Sequence, residues 1–236
     1  MFSIGLGREV TRKWREITMR EMVLEWAQRE KIVAIVRGVE SAQCLKVAQA
    51  LYDGGIRLME VTYDQKNPDS WKATAQAIHD IAEAFEGKLL VGAGTVITPE
   101  LVELTHEAGG LFIISPDCNV DVIRRTRELG MVSMPGALTP TEVLAAHRAG
   151  ADIVKLFPAS DLGPGYLKAI RAPISHVKMM AVGGINEKNI GQYLAAGAIG
   201  AGIGGNLANR AWIEAGEFDK ITETAKALVA AVRCPY

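Results

Sequence analysis

Lys155 stands in the run DIVKLFP, where its immediate neighbours on both sides are apolar. Burying an ammonium there is costly unless it is paired or gives up its proton. At a lysine's ordinary pKa only roughly 0.04% of the amine is neutral at pH 7. Desolvation lowers that pKa and makes the amine a nucleophile toward carbonyl carbon. A structural lysine, snorkelling or ion-paired at a strand end, fits the same run. Glu60, in RLMEVT, is likewise a charge among apolar residues. The two could share one substrate as base and nucleophile, or Glu60 could be only the counter-ion of a structural lysine. As an anion it would raise the lysine pKa, against the effect of burial, so the net direction stays open at this point.

Further residues could hold a substrate. Gly183-Gly184 in MMAVGGIN and Gly204-Gly205 in GAGIGGN offer bare backbone N–H groups suited to phosphate, although ordinary turns use the same pairs. Arg37 could bind a carboxylate through both arms of its guanidinium, or sit in a surface salt bridge. Thr95, in VGAGTV, presents a hydroxyl beyond a glycine corner. The histidines, at positions 79, 106, 147 and 176, fall in predicted helices or loops, which disfavours metal-assisted chemistry, and no metal site is expected. Cys44, Cys118 and Cys234 form no CxxC pair, so neither a disulfide framework nor a zinc site is expected, and a reducing cytoplasm is the natural setting.

One alternation must position these groups. Short apolar, β-branched runs recur at 32–36, 57–62, 89–91, 111–114, 131–134, 152–157, 177–182 and 199–203, each followed by a polar or glycine-rich corner and a helical pattern. Ser41 is placed to cap the second helix, running to Leu51, with Asp53-Gly54-Gly55 ending it. Thr98-Pro99 and Thr139-Pro140 put proline in the first helical turn, and Gly109, Gly130 and Gly150 read as C-terminal caps. Eight βα units predict a parallel sheet closed as one (β/α)8 TIM barrel domain over residues 1–236. An open doubly wound sheet would present a GxGxxG turn after its first strand; here that corner is Val36-Arg37-Gly38. A helical extension over about residues 1–30, amphipathic at 19–29, is expected to cover the barrel bottom. In such a barrel the C-terminal strand ends carry function, and strands two and six lie opposite one another. Glu60 and Lys155 are therefore predicted to point toward each other across the axis.

The 236 residues are 49% hydrophobic and 22% charged, with a formal net charge of −1. No broad field favours nucleic acid or an anionic membrane, so a phosphate would have to be held by local geometry. No apolar run reaches membrane-spanning length, and the first twenty residues mix charges too early for a signal peptide.

From about Ile32 to Leu207 the motifs IVAIVRG, GGIRLMEVT, VGAGTV, ISP, MPG, VKLFPAS, VGGI and GIGG follow in order. In these the chain resembles the 2-keto-3-deoxy-6-phosphogluconate (KDPG) and 4-hydroxy-2-oxoglutarate (KHG) aldolases. The resemblance implies a class I aldolase releasing pyruvate and a small aldehyde from a keto acid, without metal or organic cofactor, as a homotrimer. It implies that Lys155 is the Schiff-base lysine and Glu60 the general acid/base. Thr95, Pro116 and Phe157 would line the pyruvate pocket, and Gly183, Gly184, Gly204 and Gly205 the phosphate cradle. The chain also departs from the gluconate pattern, with Asp64 where that branch has arginine, Val182 for threonine, and Gly205-Asn206 where a serine often stands. Arg37 and Val182 instead resemble the 2-keto-3-deoxy-6-phosphogalactonate branch. Two alternatives stay open: a cofactor-free sugar-phosphate isomerase or epimerase, with Glu60 as base and Lys155 as electrostatic stabiliser, and a sugar-phosphate-binding barrel without catalysis.

Overall fold

The computed structural model describes residues 18–233. Residues 1–17 of the expected extension, and Cys234, lie outside the described residues. Helix α1 (Met19–Glu30) comes first and opens with a capping box, in which the Thr18 hydroxyl accepts from Glu21 N–H and the Glu21 carboxylate accepts from Thr18 N–H. The strands are β1 (Ile32–Val36), β2 (Leu58–Thr62), β3 (Leu90–Gly94), β4 (Phe112–Ile114), β5 (Val132–Met134), β6 (Gly136–Ala137), β7 (Val154–Leu156), β8 (Met179–Val182) and β9 (Gly200–Ile203). Between them run α2 (Ser41–Asp53), α3 (Trp71–Ala84), α4 (Pro99–Glu107), α5 (Val120–Glu128), α6 (Pro140–Ala149), α7 (Gly163–Arg171) and α8 (Ile190–Ala195); α9 (Arg210–Glu214) and α10 (Phe218–Arg233) follow β9.

All pairings are parallel, in the order β5-β4-β3-β2-β1-β9-β8-β7-β6. β5 and β6 occupy one barrel position, interrupted at Pro135, which has no N–H for the ladder. The first half pairs with β4 and the second with β7. The Pro135 carbonyl still accepts from Lys155 N–H at 2.8 Å, and Ser133 O from Asp152 N–H at 2.9 Å, so the ring closes. This is the eight-position barrel that the alternating pattern predicts.

Two layers of core result. Alternate strand residues such as Leu58, Phe112, Met134 and Val182 fill the barrel, while the others, such as Met59, Val91, Ile113 and Val154, pack under the helices. α1 closes the N-terminal mouth: Val23 and Ala27 are buried with the interior set. α1 is also fastened by charge, because Arg20 pairs with Asp152, which also holds Arg127 at 3.0 Å and accepts from Ser133 N–H at 2.9 Å.

Local details differ from the sequence reading in places. Ser41 does not cap α2; it is the first helical residue, Glu40 takes the cap position without a side-chain bond, and the Ser41 hydroxyl donates to Ala73 O at 2.8 Å. β3 runs on to Gly94, three residues past the expected end, where it still pairs with Thr62 of β2 and Ile114 of β4. β7 and β8 are shorter than their apolar runs. Thr139 forms the full capping box with Glu142, whereas the Thr98 side chain makes no such cap bond in front of Pro99. Among the described residues, no helix is long and apolar enough to cross a membrane.

Candidate active site

Alternation along β7 sends Ile153, Lys155 and Phe157 to one face, and along β2 sends Leu58, Glu60 and Thr62 to one face. Ile153 and Leu58 belong to the barrel-filling core, so the polar residues beyond them also face inward. Lys155 is 4% exposed and Glu60 1%. Its Nζ lies 4.7 Å from the centroid of the Phe157 ring, whose peptide to Pro158 is cis. Glu60 Oε2 and Thr62 Oγ1 are buried without a protein partner among the described residues.

The carboxyl fits because β3 gives way. A Cβ on Gly94 would lie 2.3 Å from Glu60 Oε1. Burial pushes the Glu60 pKa up from 4.5 to about 7, against the nearby positive charges of Lys155 and Arg37. Burial also pushes Lys155 below the ordinary lysine range, and Arg37 adds to this while Glu60 opposes it. At both groups desolvation is the largest influence, and it favours the neutral form of each.

Above this pair opens a pocket of about 330 Å³. Of the sequence-predicted residues, Arg37, Lys155, Phe157, Gly183, Gly184, Gly204 and Gly205 all line it, and Val182 and Asn206 join them. Gly183 (φ +101°) and Gly184 (φ +70°) both take left-handed backbone, and a Cβ on Gly184 would lie 2.4 Å from the Ser160 Cβ. Nothing comparable constrains Gly205, whose Cβ would meet no atom within 4 Å. Its glycine leaves bare backbone at the pocket wall. Asn206 Nδ2 donates to Ile185 O at 2.9 Å and so ties the two glycine loops together.

Glu60, Thr95 and Pro116 are not among the pocket's lining residues. Glu60 lies deeper, Pro116 is exposed at the end of β4, and Thr95 is half-buried at the end of β3. The close approach of Gly94 to Glu60 and the contribution of Ile35 and Gly202 to the wall were missed in the sequence; the glycines within VGAGTV and GAGIGG were the only signal. Among the described residues, no three His, Cys, Asp or Glu side chains come together as metal ligands would. Cys44 and Cys118 are free thiols away from the pocket.

A closed parallel barrel that buries an amine and a carboxyl together, beneath glycine loops at its C-terminal rim, is built for covalent chemistry on a carbonyl compound. The sequence model described as "KDPG and KHG aldolase" matches residues 23–224. The 2-dehydro-3-deoxy-6-phosphogalactonate aldolase of Escherichia coli K12 is 37% identical over 185 residues, 78% of this chain and 87% of that one. A solved structure described as native KDPGal superposes with a TM-score of 0.77 at 35% identity, covering 86% of this chain and 94% of that chain. The KDPG aldolase of Legionella pneumophila, captured with pyruvate as a covalent carbinolamine intermediate, gives a TM-score of 0.76 at 29% identity over 84% of this chain and 94% of that one. The chain belongs to the KDPG and KHG aldolase family, and it is a lyase.

Proposed function

We propose that this chain is a class I aldolase that cleaves a 2-keto-3-deoxy-6-phospho sugar acid to pyruvate and glyceraldehyde 3-phosphate, with Lys155 as the Schiff-base residue. One observation carries the assignment: the Lys155 amine is buried on the pocket wall, in the same barrel interior as the Glu60 carboxyl.

In this mechanism neutral Lys155 Nζ adds to the C2 ketone, giving a carbinolamine. Glu60 supplies the proton with which the hydroxyl leaves as water, and a protonated imine results. The imine accepts the electron pair of the C3–C4 bond as Glu60 takes the C4 hydroxyl proton, releasing the aldehyde. The enamine then regains a proton at C3, and water hydrolyses the imine to pyruvate and free amine. A carboxyl whose pKa lies near 7 both gives and takes protons at neutral pH, as this sequence requires. Arg37 and Thr95 hold the substrate carboxylate, Phe157 and Pro116 border the pyruvate end, and Gly183, Gly184, Gly204 and Gly205 receive the distal phosphate. No metal or organic cofactor enters these steps.

Arg37 and Val182 in the pocket lining, with the 37% identity to a phosphogalactonate aldolase, support the galactonate epimer as substrate. Cleavage of 4-hydroxy-2-oxoglutarate to pyruvate and glyoxylate follows from the same chemistry. The family resemblance supports a homotrimer, checked by sedimentation equilibrium, and the free thiols of Cys44 and Cys118 support a cytoplasmic setting. Borohydride reduction in the presence of pyruvate is the test. A stable adduct on Lys155 is expected, and none in Lys155→Ala; folded protein without an adduct overturns the assignment. An isomerase would exchange solvent protons without trapping, and a binding protein would show ligand-dependent thermal shifts without turnover.

A further inference from the structure

Thr95 turns the chain after β3 with φ +55°, left-handed backbone that a β-branched residue keeps only when its surroundings hold it there. Three successive carbonyls of this corner each accept from a side chain of a different neighbour. Thr95 O accepts from Gln65 Nε2 at 2.8 Å, Val96 O from Ser115 Oγ at 2.6 Å, and Ile97 O from Asn119 Nδ2 at 3.2 Å. Asn119 is also the N-cap of α5, and Ser115 is buried at the end of β4. Gln65 is the one of the three that reaches in from the other side, from the loop after β2.

That loop is itself braced. Asp64 Oδ1 accepts from Lys66 N–H and Asp64 O from Trp71 Nε1, both at 2.9 Å. Trp71 packs edge-on against Tyr63, whose N–H donates to Gly94 O at 3.0 Å. Asp64, where the gluconate branch has its arginine, is therefore spent on shaping a turn that delivers Gln65 to Thr95.

We propose that Gln65 is a positioning residue, which fixes Thr95 in its left-handed conformation and so sets the corner that meets the carboxylate of a bound keto acid. This rests on the reading above, in which Thr95 binds that carboxylate. Gln65 itself touches no reacting atom. Losing its amide leaves the Thr95 carbonyl without its donor and frees the corner to relax, so the carboxylate is held more weakly while the buried amine is untouched.

The test uses the full-length protein and two neutral variants without a donor, Gln65→Met and Gln65→Leu. The readouts are the pyruvate concentration for half-maximal borohydride trapping on Lys155, the maximal trapped fraction, and the melting temperature. Half-saturation is expected to rise about fivefold, the loss of roughly one hydrogen bond, with the maximal trapped fraction unchanged. A role confined to stability would lower the melting temperature and leave half-saturation where it was. That result in either folded variant overturns the proposal. Failure of the wild-type protein to trap would instead strike the aldolase reading.

Discussion

The Glu60 carboxyl lies against the bare backbone of Gly94: a Cβ there would stand 2.3 Å from Oε1, 2.5 Å from Cδ and 3.0 Å from Oε2. Every atom of the carboxyl would be inside contact distance, so the side chain could not keep its place beside any larger residue. Gly94→Ala is therefore expected to tilt Glu60 away from its present position while leaving Lys155 intact. Pyruvate release should fall about 100-fold or more, the usual scale for losing a placed acid/base group. Overpacking should destabilise the fold by about 1–3 kcal/mol. Wild-type turnover in a folded alanine variant would show that the position of this carboxyl is immaterial.

The same burial makes stability depend on pH. The folded-state pKa of Glu60 is raised to about 7 from 4.5, so between those values the folded protein keeps a proton that the unfolded chain has released. Its favourable contribution is complete below about pH 4.5 and is lost as the pH climbs through about 7. Glu60→Gln cannot ionise. The stability difference in favour of the variant should open across that window and level off above it, on the order of 3 kcal/mol. Urea unfolding of both proteins from pH 4.5 to 8.5 measures the difference, and a gap that narrows with rising pH would contradict the account.

Lys155 and Glu60 were legible because a charge inside an apolar β-branched run has few cheap explanations, and strand parity in a barrel then puts both side chains inside. The two glycine pairs and Arg37 followed from their place at strand ends. What stayed hidden depends on distances that composition does not carry. Gly94 reads as one more small residue in VGAGTV until β2 is laid beside β3. Ser41 has the right chemistry for a cap, yet its hydroxyl finds the Ala73 carbonyl, thirty-two residues onward. Gln65 has no signature at all, because its partner is the backbone of Thr95 and any residue there would offer the same carbonyl. Pro135 is the converse case: its lack of an N–H was visible in MPG, but the resulting split of one barrel strand into β5 and β6 needed the pairing partners.

The opposite end of the barrel should behave differently. Asp152, with a side chain 4% exposed, joins Arg20 of α1, Arg127 of α5 and Ser133 N–H at the N-terminal mouth. Removing it in Asp152→Ala strands two guanidiniums and a backbone donor. Because both arginines remain about a third exposed, the expected loss is about 2 kcal/mol, below the range for a fully buried pair. Conservation of chemistry at the far rim predicts an unchanged pyruvate half-saturation in borohydride trapping. A variant that melts as the wild type does would remove Asp152 from the set of residues fastening α1.

Gly184 lines the pocket between Gly183 and Ile185. Its backbone is left-handed at φ +70°, and an added Cβ would press on Ser160 at 2.4 Å from Cβ and 2.7 Å from Oγ. Gly184→Ala therefore strains the loop after β8 and pushes it or Ser160 into the space assigned to the phosphate. Lys155 is not touched by this change. Trapping by pyruvate, which carries no phosphate, should keep its half-saturation within about twofold. The KM for the phosphorylated sugar acid should rise about tenfold or more, the equivalent of one or two lost backbone hydrogen bonds to an anion. Steady-state kinetics and trapping on the same preparation give both numbers. Equal losses on the two ligands would place the phosphate elsewhere and return the glycine loops to a purely structural part in the barrel.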